Sequence, residues 1–398
     1  MSRLANNWRY RDIYAVIIGN PENRRIQFFQ RALAQLSLPL ATVVSYADLI
    51  ADRVSLPEIV RANAIVRIES PGEDFNVERA ILMLGSEQPD NERDYISIDR
   101  SALNSMEFEP GRILYNRQWY RGFCQLLDII KGQLQMCSHH RLMNRPADIA
   151  LMFDKIGCQA ELAAHRLPVP RSLGRIDSFE DLIDRMETSR CHRVFIKLAH
   201  SSSASGIVAY QTDGRRHRAV TTIEMVRREG QIALYNSLRV RCYDDLQEIA
   251  TLVDTLTRDR VYVEQWLPKA GFDDCRFDLR VVVIKGQSCH TVVRMSKTPF
   301  TNLHLLNTRG DLQALQARMG SAAFEAATDI CERAMALFPE SLYGGIDLLI
   351  APGFRRFAVL EINAFGDLLP NILHNNCDTY TAEILAMLSL SHQVSTQY

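Results

Sequence analysis

The chain has 398 residues, 47% of them hydrophobic and 23% charged, a balance that excludes a disordered or collagen-like protein and is enough for two or three cored domains. A formal net charge of −1 gives no general pull toward nucleic acid or a membrane surface. No run approaches the ~18 apolar residues that span a bilayer, so neither a nucleic-acid nor a membrane partner is expected.

Residues 1–14 are polar and lack a signal-peptide core. The nine cysteines are scattered and form no C-x-x-C pair, as expected of reduced thiols in a cytoplasmic protein. His139 and His140 are adjacent and make a poor metal pair on one helix face. Residues 13–19 are an apolar run closed by Gly19-Asn20-Pro21, a strand and its turn. Residues 23–38 carry helical spacing through Ile26, Phe29, Leu33 and Leu36. Strands at 41–46 and 64–69, the latter closed by Ser70-Pro71-Gly72, complete a strand–helix–strand alternation that predicts a parallel αβ layer.

Helical patterns cover 119–137 and 147–165, and Leu167-Pro168-Val169-Pro170 then forces extended chain. A helix at 179–187 precedes β-like runs at 194–198, 207–211, 220–224 and 231–235. Arg215, Arg216, His217 and Arg218 read as a solvated turn between two of these strands. A helix at 244–257 leads to strands at 261–266, 277–284 and 289–295. Residues 296–309 read as a loop, 312–337 as one long helix, 343–350 and 357–362 as strands, and the remainder as a short helical tail. The first third is therefore αβ and the second half rich in antiparallel-type strands, with pattern changes near residue 140 and at 190–200.

Candidate chemistry concentrates late in the chain. Gly345-Ile346-Asp347-Leu348-Leu349 and Val359-Leu360-Glu361-Ile362-Asn363 each place an acid inside an apolar strand. Alternation puts Glu361 and Asn363 on one face, and strand pairing brings Asp347 to them. Three oxygen-bearing side chains on one sheet face suit a hard cation such as Mg²⁺. Solvated acids on an edge strand are the alternative, weakened because an unpaired buried carboxylate is costly. Phe195-Ile196-Lys197-Leu198 leads into Ser201-Ser202-Ser203-Ala204-Ser205-Gly206, a loop whose N–H and hydroxyl donors suit phosphates. Asp154-Lys155 lies mid-helix on this reading, where a surface ion pair is the default. Asp278 and Arg280 share one strand face, and an ion pair between them accounts for part of the convergence with Arg294, Lys297, Asn302 and His304.

Taken in order, Asp154-Lys155, Lys197 with its loop, Glu264-Gln265-Trp266-Leu267, Asp278-x-Arg280, Arg294, Asn302, Asp347 and Glu361-x-Asn363 resemble the ATP-grasp superfamily. Within it they resemble the ribosomal-protein-S6 glutamate-ligase-like branch, over roughly residues 140 to 380. The resemblance implies an α/β and α+β chain: an N-terminal αβ domain (1–138), a central nucleotide-binding lobe (139–266) and a C-terminal catalytic and metal-binding lobe (267–398). It implies that Lys155 and Lys197 contact the phosphates of ATP and that Ser203, Ser205 and Gly206 close over them. Glu264, Gln265, Trp266 and Leu267 would form the hinge that reads adenine, with Glu264 or a nearby acid on ribose and Asp278 also at the nucleotide. Asp347, Glu361 and Asn363 would hold one or two Mg²⁺. Arg280, Arg294 and Asn302 would steady the transferred phosphate.

The chemistry so implied joins a carboxylate to an amine through an acyl phosphate, giving ADP and phosphate, with small-molecule or peptide carboxylates and amines as substrates. It needs charge neutralisation rather than a protein nucleophile, so Cys275 and Cys289 receive no covalent role. Two departures stand out. The phosphate loop has only Gly206 where relatives often have two glycines. Leu305-Leu306-Asn307 follows Asn302-Leu303-His304 where the branch commonly has a basic residue and two glycines. Residues 364–370 either line the acceptor pocket or form a glycine turn with an apolar plug. Arg67-Ile68-Glu69-Ser70 and Asn116-Arg117-Gln118-Trp119-Tyr120 are either substrate contacts or ordinary polar element ends. Besides the ligase, a non-catalytic nucleotide-binding module and phosphoryl transfer to another acceptor fit the sequence, and a homodimer is the base-rate expectation.

Overall fold

A computed structural model describes residues 14–87, 95–201, 205–228, 230–366 and 369–394. The first third comprises β1 (Ala15–Ile18), α1 (Arg24–Gln35), β2 (Thr42–Val44), α2 (Tyr46–Ile50), α3 (Leu56–Ile59), β3 (Ile65–Ile68), α4 (Phe75–Ser86), α5 (Arg100–Asn104), α6 (Asn116–Gln135) and β4 (Arg141–Leu142). Its four strands are parallel in the order β2-β1-β3-β4, the αβ layer the alternation predicts. Asn23 caps α1 by accepting from the Arg25 N–H, and the helix buries Ile26, Phe29, Ala32 and Leu33. Helix α4 has no counterpart among the expected elements. It packs on α6 through two glycines: a Cβ at Gly122 would lie 1.8 Å from the Ile81 carbonyl oxygen.

The middle of the chain forms α7 (Pro146–Phe153), α8 (Lys155–Ala164), β5 (Ser172–Arg175), α9 (Phe179–Thr188), β6 (Arg193–Leu198), β7 (Ile207–Thr212), β8 (His217–Arg228), β9 (Gln231–Tyr243), α10 (Leu246–Leu256) and β10 (Val261–Gln265). The single helix expected at 147–165 is two. Asp154 takes extended dihedrals between them and caps α8 through the Ile156 N–H. Lys155 therefore sits at a helix start and not mid-helix. The central sheet is antiparallel in the order β5-β10-β6-β7-β8-β9. Strands β8 and β9 form one long hairpin, well beyond the short runs expected, because most of β9 is only half-buried or exposed and shows no apolar alternation. Of the four residues expected in the β7–β8 turn, Arg215 and Arg216 lie there, whereas His217 and Arg218 open β8 and pair with Thr212 and Gln211.

The last third holds β11 (Gly271–Phe272), β12 (Cys275–Ile284), β13 (Gln287–Ser296), β14 (Thr308–Gly310), α11 (Leu312–Met319), α12 (Ser321–Met335), β15 (Tyr343–Ile350), β16 (Phe357–Asn363) and α13 (Thr379–Val394). Its sheet runs β14-β13-β12-β15-β16, antiparallel, with β11 on β12. The long helix expected at 312–337 breaks at Gly320, whose φ of 81° and ψ of 150° leave helical space.

Alternation divides this sheet's two faces. Phe277, Leu279, Val281 and Val283 point into a core shared with α11 and α12. On the opposite face, Val282 and Ile284 join α1 and α13 in a second core, while Asp278 and Arg280 occupy the same face further along. This face is thus apolar where the N-terminal layer covers it and charged where it faces the central sheet. Residues 139–171 contribute no strand to the central sheet: β4 extends the N-terminal one, and α7 and α8 pack on β16, while Gln159 reaches Glu264 of the central sheet.

Candidate functional site

A cleft between the central and C-terminal sheets takes in about 830 Å³ of space, open solvent included. Lys155, Lys197, Lys269 and Arg294 line it together with Glu264, Asp278, Asp347 and Glu361. Phe195, Ile207, Leu267, Phe300, Leu349 and Leu360 supply apolar wall.

The charged floor follows from strand register. Asp278 lies opposite Arg294, Arg280 opposite Asp347, and Asp347 opposite Glu361. Cross-strand partners sit about 5 Å apart and same-face neighbours along a strand about 7 Å, so charges pair across strands. Asp278 accordingly pairs with Arg294 (2.8 Å), and Arg280 with Asp347. This corrects the expected Asp278–Arg280 pair. Arg294 also reaches Asp347 (3.0 Å), and Lys155 meets Glu361 (3.3 Å). The result is an alternating ion chain across β13, β12 and β15, beside which Glu361 of β16 lies next to Asp347 and takes Lys155 of α8 as its counterion.

Asp278 is buried and also accepts from Lys269 (2.9 Å) and from the Thr301 hydroxyl. Burial alone would raise its pKa, but Arg294 and Lys269 hold it well below the usual carboxylate range. Burial pushes Asp347 up, against the pull of Arg280 and Arg294. Burial would also raise Glu361, but Lys155 and then Arg280 hold it well below its ordinary value. Burial depresses Lys269, though its Asp278 partner opposes this.

Lys197 pairs with Glu264, whose other carboxylate oxygen accepts from Gln159 (3.1 Å) and Tyr262 (3.3 Å). Lys155 also donates to the Ser201 carbonyl (2.6 Å), which ties it to the start of the serine-rich loop. Ser205 lines the cleft, and Ser203 lies outside the described residues. Gly206 has a φ of 65°, and a Cβ there would come 2.1 Å from Leu198, so the close approach demands glycine. Gln265, Leu267 and Asn302 face the cleft. Trp266 does not line it: its ring packs on Phe195, with the Arg193 guanidinium over it. Lys297 and His304 are exposed outside it.

Asp347 and Glu361, side by side with Asn363 next on the strand, are an oxygen-only set that fits a hard cation. Asn363 donates its amide nitrogen to the Gly345 carbonyl (3.1 Å), and the oxygen of the same amide is the atom it could offer. Among the described residues no group of three or more His, Cys, Asp or Glu is gathered for a metal, so a cation here needs water or phosphate oxygens as well. Sequence reasoning missed Lys269, Thr301 and Gln159. None carries a local signal, because each acquires its partner from a distant loop or strand.

No family model matches the chain, and no curated protein matches it. Solved structures do. The ATP-grasp ligase PsnB complexed with minimal precursor is 14% identical, with 96% of this chain and 99% of that one covered and a TM-score of 0.53. D-cycloserine synthetase DcsG is 13% identical, with 94% and 99% covered and a TM-score of 0.52. The macrocyclase MdnC bound with precursor peptide MdnA, from Microcystis aeruginosa, is 12% identical, with 95% and 100% covered and a TM-score of 0.52. Identity this low speaks to architecture, and over nearly its whole length this chain has the ATP-grasp fold.

Proposed function

We propose that the protein is an ATP-dependent carboxylate–amine ligase acting through an acyl phosphate. The observation that carries this reading is the charged floor, on which two adjacent carboxylates meet lysines and arginines within a cleft of the ATP-grasp fold. Lys155 and Lys197 would bind the phosphates, and the apolar wall around Phe195 and Leu360 would take the base. Asp347, Glu361 and the Asn363 amide oxygen would hold Mg²⁺, which supplies charge neutralisation at phosphate oxygens when bound. Arg280 and Arg294 would neutralise the transferred phosphate, and Asn302 would orient it. The substrate carboxylate would attack the γ-phosphate with ADP as the leaving group, and the amine would then attack the acyl carbon, forming the C–N bond as phosphate leaves and the amine nitrogen gives up a proton. This needs positioned cations and no protein nucleophile.

PsnB and MdnC were solved with a precursor or precursor peptide, and DcsG makes a small molecule, so peptides and amino-acid-like metabolites are the substrate classes to test. A cytoplasmic location, a homodimer and the division at 138/139 and 266/267 belong to the same proposal. No helix among the described residues is long and apolar enough to cross a membrane. The test is Mg²⁺-dependent ADP and phosphate release over a pool of amino acids and dipeptides, in wild type and in the Asp347→Asn/Glu361→Gln double variant. Release by wild type only, with Mg²⁺ only and with particular additives only, is the expected result. A wild type that binds no nucleotide would end the proposal.

A further inference from the structure

The acid-bearing strands are gripped at one end by a seam that starts in the N-terminal sheet. Arg141 and Leu142 pair with Ile65 and Val66 of β3, and the Met143 N–H donates to the Val66 carbonyl (2.9 Å). The same strip then turns to the C-terminal lobe. Leu342 donates to the Met143 carbonyl (2.6 Å), and the Arg145 N–H donates to the Ser341 hydroxyl (3.2 Å). Residues 141–145 thus join the two sheets.

Asn144, 2% exposed, sits at the centre of this seam. Its Nδ2 donates to the Tyr343 carbonyl (3.0 Å) and to the Ala364 carbonyl (2.7 Å), and its Oδ1 accepts from the Tyr343 N–H (3.3 Å). The last rung between β15 and β16 pairs Gly345 with Asn363. The amide therefore bridges the two backbones just beyond that rung. Asp347 lies four residues along from Tyr343, and Asn363 and Glu361 lie one and three residues back from Ala364. Arg25 of α1 holds the next carbonyl, that of Phe365 (2.8 Å). A buried amide with three geometrically determined bonds fixes relative position strongly, because losing it strands buried backbone groups.

We infer that Asn144 is a positioning residue: it locks the register and spacing of β15 and β16, and so sets the separation of Asp347, Glu361 and Asn363 for a divalent cation. The inference rests on the ligase reading above. It makes the N-terminal layer a structural support of the cation site, although none of its residues lines the cleft.

The experiment uses full-length protein, Mn²⁺ as a paramagnetic probe followed by electron paramagnetic resonance with saturating ADP, and calorimetry of ADP without metal. In Asn144→Ala, Mn²⁺ affinity is expected to fall roughly tenfold or more, the usual consequence of removing a support behind a ligand. Metal-free ADP affinity should stay at the wild-type value, which a merely loosened fold would not preserve. Wild-type Mn²⁺ affinity in the variant, or parallel loss of metal and nucleotide, overturns the inference while leaving the ligase reading intact. A wild type that takes up ADP without Mn²⁺ overturns both. Should Asn144→Ala not fold, Arg25→Ala decides. That side chain is 23% exposed and holds the adjacent carbonyl. A weakened Mn²⁺ site supports the inference, and an unchanged one overturns it.

Discussion

Asp278→Asn tests the charged floor most directly. Asp278 is 1% exposed and receives Arg294 on one oxygen and Lys269 with Thr301 on the other. An asparagine keeps one acceptor oxygen and turns an N–H₂ toward a buried cation. At least one charge-assisted hydrogen bond is lost, worth about 1.5–3 kcal/mol, and a cation is left without its counterion. Breaking a buried ion pair from one side costs about 3–5 kcal/mol, so a loss of about 4 kcal/mol is expected.

Urea unfolding at neutral pH measures it, with the slope of the transition checked for two-state behaviour. The pH dependence supplies the second reading. The folded carboxyl is held below its ordinary value of 3.8, so its stabilisation is present above that value and is lost as pH falls beneath it. The gap between wild type and variant should therefore be constant from neutral pH down to the ordinary carboxylate range and shrink below it. A loss under about 1 kcal/mol, the level of an exposed pair, would refute the claim that this floor is a dry, interlocked ion chain.

Lys197→Met should weaken nucleotide binding and also cost about 3 kcal/mol of stability, because Glu264 keeps Gln159 and Tyr262 but loses its lysine. Adding Glu264→Gln should restore the stability and not the binding, which calorimetry and unfolding together would show. Glu383 is pushed up to about 7, first by burial, against the pull of its Arg67 partner at 2.5 Å. Because the folded pKa is raised, its stabilising effect is complete below the ordinary value of 4.5 and is lost as pH rises to about 7. Glu383→Gln should flatten the fall in the urea midpoint across that window, and an unchanged slope would remove the group from the balance.

Local pattern alone determined which residues could face the site. Apolar runs at 343–350 and 357–362 set the acids among buried neighbours, and strand alternation placed Asp278 with Arg280 and Glu361 with Asn363 on common faces. The parallel N-terminal layer was equally legible, since strand–helix–strand spacing leaves few other arrangements. The break at Asp154 was hidden because a capping aspartate and a mid-helix aspartate look alike within an apolar period. Partnership was another matter. Arg280 could pair with Asp278 by proximity in the chain, yet antiparallel register set it opposite Asp347, 67 residues away. Lys269 enters the floor because the chain around β11 turns back along β12 and sets it against Asp278, where Thr301 of a later loop also receives it. Asn144, unremarkable in its sequence, gained its meaning from carbonyls 199 and 220 residues on. Periodicity reports which way a side chain points, but what it meets there is decided by strand register and loop closure, which depend on contacts between distant parts of the chain.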